Sequence, residues 1–140
     1  MNVKIVGNWE HGWDTPLNEF ERWKHSLLEF GVDTFYMSPI TGILKPQVIE
    51  YVSTEEFLNL EENNSYTKVF CDDKADTSLK DFVHPTNAIY VFGRTSYDVL
   101  SLKQESDLSI SIPTSRNAGG FFAHQACSII LYDRFLKEAG

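Results

Sequence analysis

Residues 88–93, AIYVFG, form a β-prone run that is apolar at nearly every position. A strand that alternates apolar and polar residues covers one face of a sheet, whereas one that is apolar throughout must be covered on both. An α/β domain meets that demand, with helices flanking both faces of a mainly parallel sheet. Residues 3–7, DTFYMS (33–38), YTKVFC (66–71) and LSISIP (108–113) read as further strands. Between the first two, DTPLNEFERWKHSLLEFG reads as a helix capped by Asp14 or Thr15, with Pro16 in its first turn and Gly31 as its stop. Leu17, Phe20, Leu27 and Phe30, with Trp23 and Leu28, supply its buried face. STEEFLNLEE, from Ser53, opens a second helix with the capping-box pair Ser53 and Glu56. A last helix spans roughly 120–137.

The chain of 140 residues, 42% hydrophobic, suits one domain over 1–140 with a real core. Its formal charge of −8 is uneven: residues 50–81 carry nine acids against three lysines, while 113–140 carry Arg116, Arg134 and Lys137 against Asp133 and Glu138. This balance argues against broad nonspecific nucleic-acid binding and leaves room for a local basic site. Cys71 and Cys127 lie far apart with no ligand-type spacing, so a reduced chain without structural zinc is the simpler expectation. The first residues lack the apolar core of a signal peptide and no run reaches membrane-spanning length, which predicts a soluble, cytoplasmic protein.

The last helix is apolar around almost its whole circumference, from Phe121 and Phe122 through Cys127, Ile129, Ile130, Leu131 and Tyr132 to Phe135 and Leu136. One face can lie on the sheet; the other needs a second cover, from other elements of the same chain or, the favoured reading, from a second copy in a homodimer. Ligands of such sheets sit beyond the C-terminal strand ends, here Gly7, Ser38, Cys71, Gly93 and Pro113. GNWEHGWD (7–14) follows the first of these ends. Its Trp9 and Trp13 suit stacking on a base or covering the dimer edge of the sheet, and its Glu10, His11 and Asp14 lack metal-ligand spacing. His84, in HPTNA, reads as a turn residue with Asn87 as a backbone partner, and His124 as an interface contact in preference to a substrate contact.

Taken in order, FVHPTNAIYVFG (82–93), LSISIP (108–113) and GGFFAHQACSIILYDRF (119–135) resemble the C-terminal half of the SpoU-type RNA ribose methyltransferases of the SPOUT superfamily. LNEFERWKHSLLEFGVDTFYMSP (17–39) is similar to that family's first helix, turn and second strand. The resemblance implies a C-terminal trefoil knot, an obligate dimer through the last helix, and S-adenosylmethionine held by backbone groups of the knot. It places the cofactor at Cys71, Phe92, Gly93, Ile112 and Pro113, with Gly119 and Gly120 closing over it.

The resemblance also marks departures. Six residues before Gly31, where relatives carry a catalytic arginine, stands His25, a candidate base with Lys24 and Arg22 beside it. Arg94 and Arg116 flank the implied cofactor loops and are candidates to hold phosphate or stabilise charge. Arg22, Trp9 and Trp13 are the candidate substrate contacts. Gly120, Phe121 and Phe122 stand where relatives keep Ser-Leu-Asn, unless a lengthened loop lets 115–117 substitute in part. The leading expectation is a 2′-O-methyltransferase of tRNA or rRNA ribose. A domain that keeps the fold and dimer without methyl transfer, and an S-adenosylmethionine-using enzyme acting on a small molecule, are the alternatives.

Overall fold

A computed structural model describes residues 2–10, 14–43, 45–94, 98–116 and 120–139. Its strands are β1 (Asn2–Asn8), β2 (Phe35–Ser38), β3 (Val48–Glu50), β4 (Thr67–Cys71), β5 (Thr77–Ser78), β6 (Asn87–Phe92) and β7 (Leu108–Ser111). They form one sheet in the order β3-β2-β1-β6-β4-β7-β5, and each of these pairings is parallel. The apolar run 88–93 thus supplies the strand between β1 and β4, where the chain order along the sheet breaks. Ala88, Tyr90 and Phe92 face one buried cluster and Ile89 and Val91 the other. That is the two-sided burial its composition requires.

The helices are α1 (Pro16–Glu29), α2 (Thr54–Leu58) and α3 (Ala123–Ala139). α1 and α3 pack on the Tyr90 face, where Phe20, Trp23 and Leu27 meet Cys127, Ile130 and Leu131. α2 covers the opposite face with Phe57 and Leu58, joined by Val99 of a short 3₁₀ segment. Gly7 permits the close approach of α1: a Cβ there would stand 2.7 Å from Phe35 Cζ and 3.1 Å from Trp23 Cζ2. Those two rings stack at 4.8 Å over that gap.

Caps fall where the sequence puts them. The Thr15 side chain accepts from the Asn18 amide, and the Ser53 side chain from the Glu56 amide. The second helix is shorter than its pattern suggests and ends at Leu58, followed by the 3₁₀ turn Glu61–Asn63. β3 and β5 are additional strands, and α3 begins at Ala123, three residues later than expected.

α3 is also less uniform than its composition implies. It buries Cys127, Ile130, Leu131 and Arg134 while Tyr132, Phe135 and Leu136 stay exposed. Arg134 is only 3% exposed. Its guanidinium donates to the carbonyls of Pro85 (2.7 Å) and Thr86 (3.2 Å) and to the Tyr90 hydroxyl (2.9 Å), and it faces Glu138 at 2.9 Å. Removing one partner of such a buried charge costs about 3–5 kcal/mol, because the other partners are left uncompensated.

His84 belongs to this junction, a structural residue as expected, though held by side-chain bonds rather than by turn chemistry. Its Nε2 lies 2.8 Å from Asp133 and its Nδ1 2.7 Å from the Tyr90 hydroxyl. A carboxylate only accepts, so Nε2 carries the proton, Nδ1 accepts, and the Tyr90 hydroxyl donates to it. Lys137 ties the same carboxylate (2.9 Å) to the carbonyls of Leu79 and Phe82. Burial pushes the Tyr90 phenol up to about 12, which keeps this donor protonated.

Burial lowers the His84 pKa below the ordinary histidine value, against the opposing pull of Asp133; Arg134 and Lys137 reinforce the lowering. The unfolded chain therefore binds a proton at His84 at pH values where the folded chain does not. The resulting stability is complete above the unfolded value of about 6.5 and declines as pH falls through it towards the folded value. Urea denaturation between pH 7.5 and 5.5 is expected to show a steeper loss of stability for the wild-type chain than for His84→Gln. Parallel losses would contradict the assignment.

Candidate functional site

The C-terminal ends of β1, β2 and β6 are joined by a buried asparagine. Asn8 donates through Nδ2 to the Phe92 carbonyl (2.7 Å), and its Oδ1 accepts from Ser38 (2.8 Å) and Thr54 (3.0 Å). Trp9 continues the arrangement, its amide donating to the Ser38 carbonyl and its own carbonyl accepting from the Arg94 guanidinium. These bonds fix where β6 ends and hence where Gly93 and Arg94 begin.

Beside that point opens a cavity of about 810 Å³. Its walls come from the ends of β4 (Cys71 to Lys74), β6 (Phe92 to Arg94) and β7 (Ile110 to Ile112, with Thr114), from Glu19 and Arg22 of α1, and from residues 121–126 and Ile130 at the start of α3. Phe92, Ile110 and Ile130 are buried and give it an apolar floor, while the rim residues Arg22, Asp73, Lys74 and Asp98 are exposed. The cavity lies at the C-terminal strand ends where the strand order breaks, the usual ligand position in an open α/β sheet.

The charges around it are mostly acidic: Glu19, Asp72, Asp73 and Asp98 against Arg22, Lys74 and Arg94. Glu19 is 6% exposed; its carboxylate accepts from the Trp23 indole at 2.9 Å and approaches the Arg22 guanidinium at 3.5 Å. Arg22 also pairs with Asp14 at 2.7 Å. Partial burial raises the Asp72 carboxyl above the usual range. Burial likewise raises both thiols, Cys71 at the cavity wall and Cys127 behind it, so neither behaves as a ready nucleophile.

Several residues singled out in the sequence meet here. Cys71, Phe92, Gly93 and Ile112 line the cavity, together with Arg22 and Arg94. Pro113 and Gly120 are exposed and flank lining residues without lining the cavity themselves. Arg116 is exposed on the segment after β7 and does not line it. His25 is exposed on α1 and is likewise absent from its walls. Trp9 is 6% exposed within the α1–α3 core, which corrects its reading as a base-stacking residue: its ring faces are already covered by protein. Trp13 and Gly119 lie outside the described residues.

Glu19 and His124 are cavity residues that residue pattern alone did not select as functional. His124, expected at an interface, lines the cavity half-buried, with its ring stacked on Phe122 at 5.9 Å. Among the described residues no group of three or more His, Cys, Asp or Glu side chains is placed to hold a metal ion, and no helix is long and apolar enough to cross a membrane.

No protein-family model matches the sequence, and no curated protein matches it either. Solved structures do match. The SpoU methyltransferase AviRb from Streptomyces viridochromogenes, in complex with AdoMet, superposes with a TM-score of 0.76 at 14% identity over 99% of this chain, which spans 58% of AviRb. A structure described for the 2-OH methylation of C/U34 on tRNA gives 0.73 at 11% identity, covering 99% of this chain and 91% of that one. The A. aeolicus TrmH/SpoU tRNA modifying enzyme gives 0.72 at 13%, covering 99% and 77%. The likeness that the strand-ending FG, the IP and the last helix suggest in sequence extends over the whole backbone: this chain has the SpoU methyltransferase fold.

Proposed function

We propose that the chain is an S-adenosylmethionine-dependent RNA methyltransferase that modifies a ribose 2′-hydroxyl, in tRNA or rRNA, as a cytoplasmic homodimer. The observation that carries this reading is the cavity at the ends of β4, β6 and β7, set in a fold shared with the AdoMet-bound AviRb. Its residues fit the cofactor chemically. Phe92, Ile110, Ile112 and Ile130 offer apolar surface to an adenine ring, and Asp72, Asp73 and Asp98 offer carboxylates to ribose hydroxyls and positive charge. When bound, the cofactor supplies an electrophilic methyl group. The chain orients it, shields it from water, and places the nucleophile in line.

Arg22 takes the arginine role that a count from Gly31 assigns to position 25. It projects from the same helix into the cavity wall and is held by Asp14 and Glu19. With Arg94 on the adjoining wall it presents a local cationic site for an RNA phosphate on a chain of net charge −8. Arg116, exposed beyond β7, extends that site outside the cavity. His25 has no part in it. The trefoil knot belongs to the same proposal.

The proposed dimer interface is the outer face of α1 and α3, where Leu28, Tyr132, Phe135 and Leu136 are each more than half exposed. Phe30 lies beside both aromatic rings, at 6.5 Å from Tyr132 and 6.4 Å from Phe135. An apolar band of this kind calls for a partner surface.

Calorimetric titration with S-adenosylmethionine is expected to give saturable binding at one site per chain, weakened at least tenfold by Phe92→Asp. Absence of heat at millimolar ligand would contradict the cofactor assignment. Sedimentation equilibrium is expected to return twice the chain mass, and Phe135→Lys to shift the species towards monomer. A wild-type chain that sediments as a monomer at high concentration would rule out the interface.

A further inference from the structure

Methyl transfer to a hydroxyl releases a proton, and among the described residues one imidazole lines the cavity with its ring nitrogens uncommitted. The chain has four histidines. His11 lies outside the described residues, His25 is exposed away from the cavity, and His84 commits both ring nitrogens to Tyr90 and Asp133. His124 alone among the described histidines lines the cavity, in the first turn of α3. No group among the described residues hydrogen-bonds its ring nitrogens, and Phe122 stacks on one ring face at an interplanar angle of 12°, which steadies the ring's orientation.

We propose that His124 is the general base of this site, accepting the proton of the attacking hydroxyl during methyl transfer. This rests on the reading of the cavity as a methyltransferase site. The nucleophile's oxygen forms the new C–O bond while the bond from the methyl carbon to the sulfonium sulfur breaks, its electron pair remaining on sulfur as a neutral thioether. The hydroxyl proton passes to His124, and the resulting imidazolium returns it to water.

The surroundings suit that task. Burial keeps the imidazole neutral near pH 7 by lowering its pKa; the Glu19 carboxylate opposes this and Arg22 adds to it. Glu19, fixed by the Trp23 indole, therefore stands ready to stabilise the imidazolium once it forms. The other charged groups around the cavity are Asp72, Asp73 and Lys74 after β4, and Arg94 and Asp98 after β6.

Histidine ring resonances of the full chain, with His124 assigned by its loss in His124→Asn, give a test that needs no RNA. His124 is expected to titrate below ordinary histidine, and lower with S-adenosylmethionine bound than with S-adenosylhomocysteine, because the sulfonium charge faces it. If calorimetry shows both ligands bound and His124 titrates identically in the two complexes, the proposal is overturned while the cofactor reading stands. If neither binds, the cofactor reading itself has failed. With bulk cellular RNA as methyl acceptor, His124→Asn is expected to keep S-adenosylmethionine affinity within about threefold and to lose roughly 100-fold in turnover, together with the rise of rate with pH across the histidine range. Wild-type turnover in that variant would overturn the assignment, and lost affinity in step with lost turnover would mark His124 as a binding or packing residue instead.

Discussion

A buried arginine sets the position of α3, and α3 sets the cavity. Arg134 brings a full positive charge under the helix and meets it with the carbonyls of Pro85 and Thr86 and the Tyr90 hydroxyl. Those groups belong to the entry and middle of β6, so the arrangement fixes the helix against the central strand in one register. His84, Asp133 and Lys137 extend the junction to the carbonyls of Leu79 and Phe82. Apolar packing of Cys127, Ile130 and Leu131 would tolerate small slides along the sheet. Directional bonds to a desolvated charge do not. With the helix so anchored, its first turn projects over the ends of β4, β6 and β7, while Asn8 fixes the β6 end from the other side.

Much of this architecture is written in residues whose meaning is local. The unbroken apolar run 88–93 admits little besides a central parallel strand, and Thr15 and Ser53 begin their helices through side-chain bonds to nearby amides. β3 and β5 span three and two residues, too few for a periodic signal, and exist because neighbouring strands offer partners. Arg134 was illegible for a related reason. A charged residue near the end of an apolar helix ordinarily faces water, and the carbonyls that receive it lie 48 or more residues away in sequence.

The site shows the same division. Its strand ends follow from the strand pattern, and Cys71, Phe92, Gly93 and Ile112 line one cavity there. The side chains that face inwards depend on the rotation of each helix. Residues two apart on a helix point about 200° apart, so with Trp23 buried, His25 is carried to the outside while Arg22 and Glu19 reach the cavity. Which histidine lines the cavity likewise depends on packing: His124 does and His25 does not. An acidic cavity in an acidic chain also separates two demands. Under the proposed function, carboxylates suit a cationic cofactor, whereas a polyanionic substrate would be met by the few cations around the cavity.

The central claim is that the junction of strand ends and the first turn of α3 holds S-adenosylmethionine. A crystal structure of the chain grown with that cofactor tests it most directly. Density is predicted between the Cys71–Asp72, Phe92–Gly93 and Ile110–Ile112 segments, with the methyl group turned towards His124 and Arg22. A cofactor seated instead at the opposite strand ends, in the small depression bounded by Lys4, Phe30, Asp33 and Tyr66, would contradict the account.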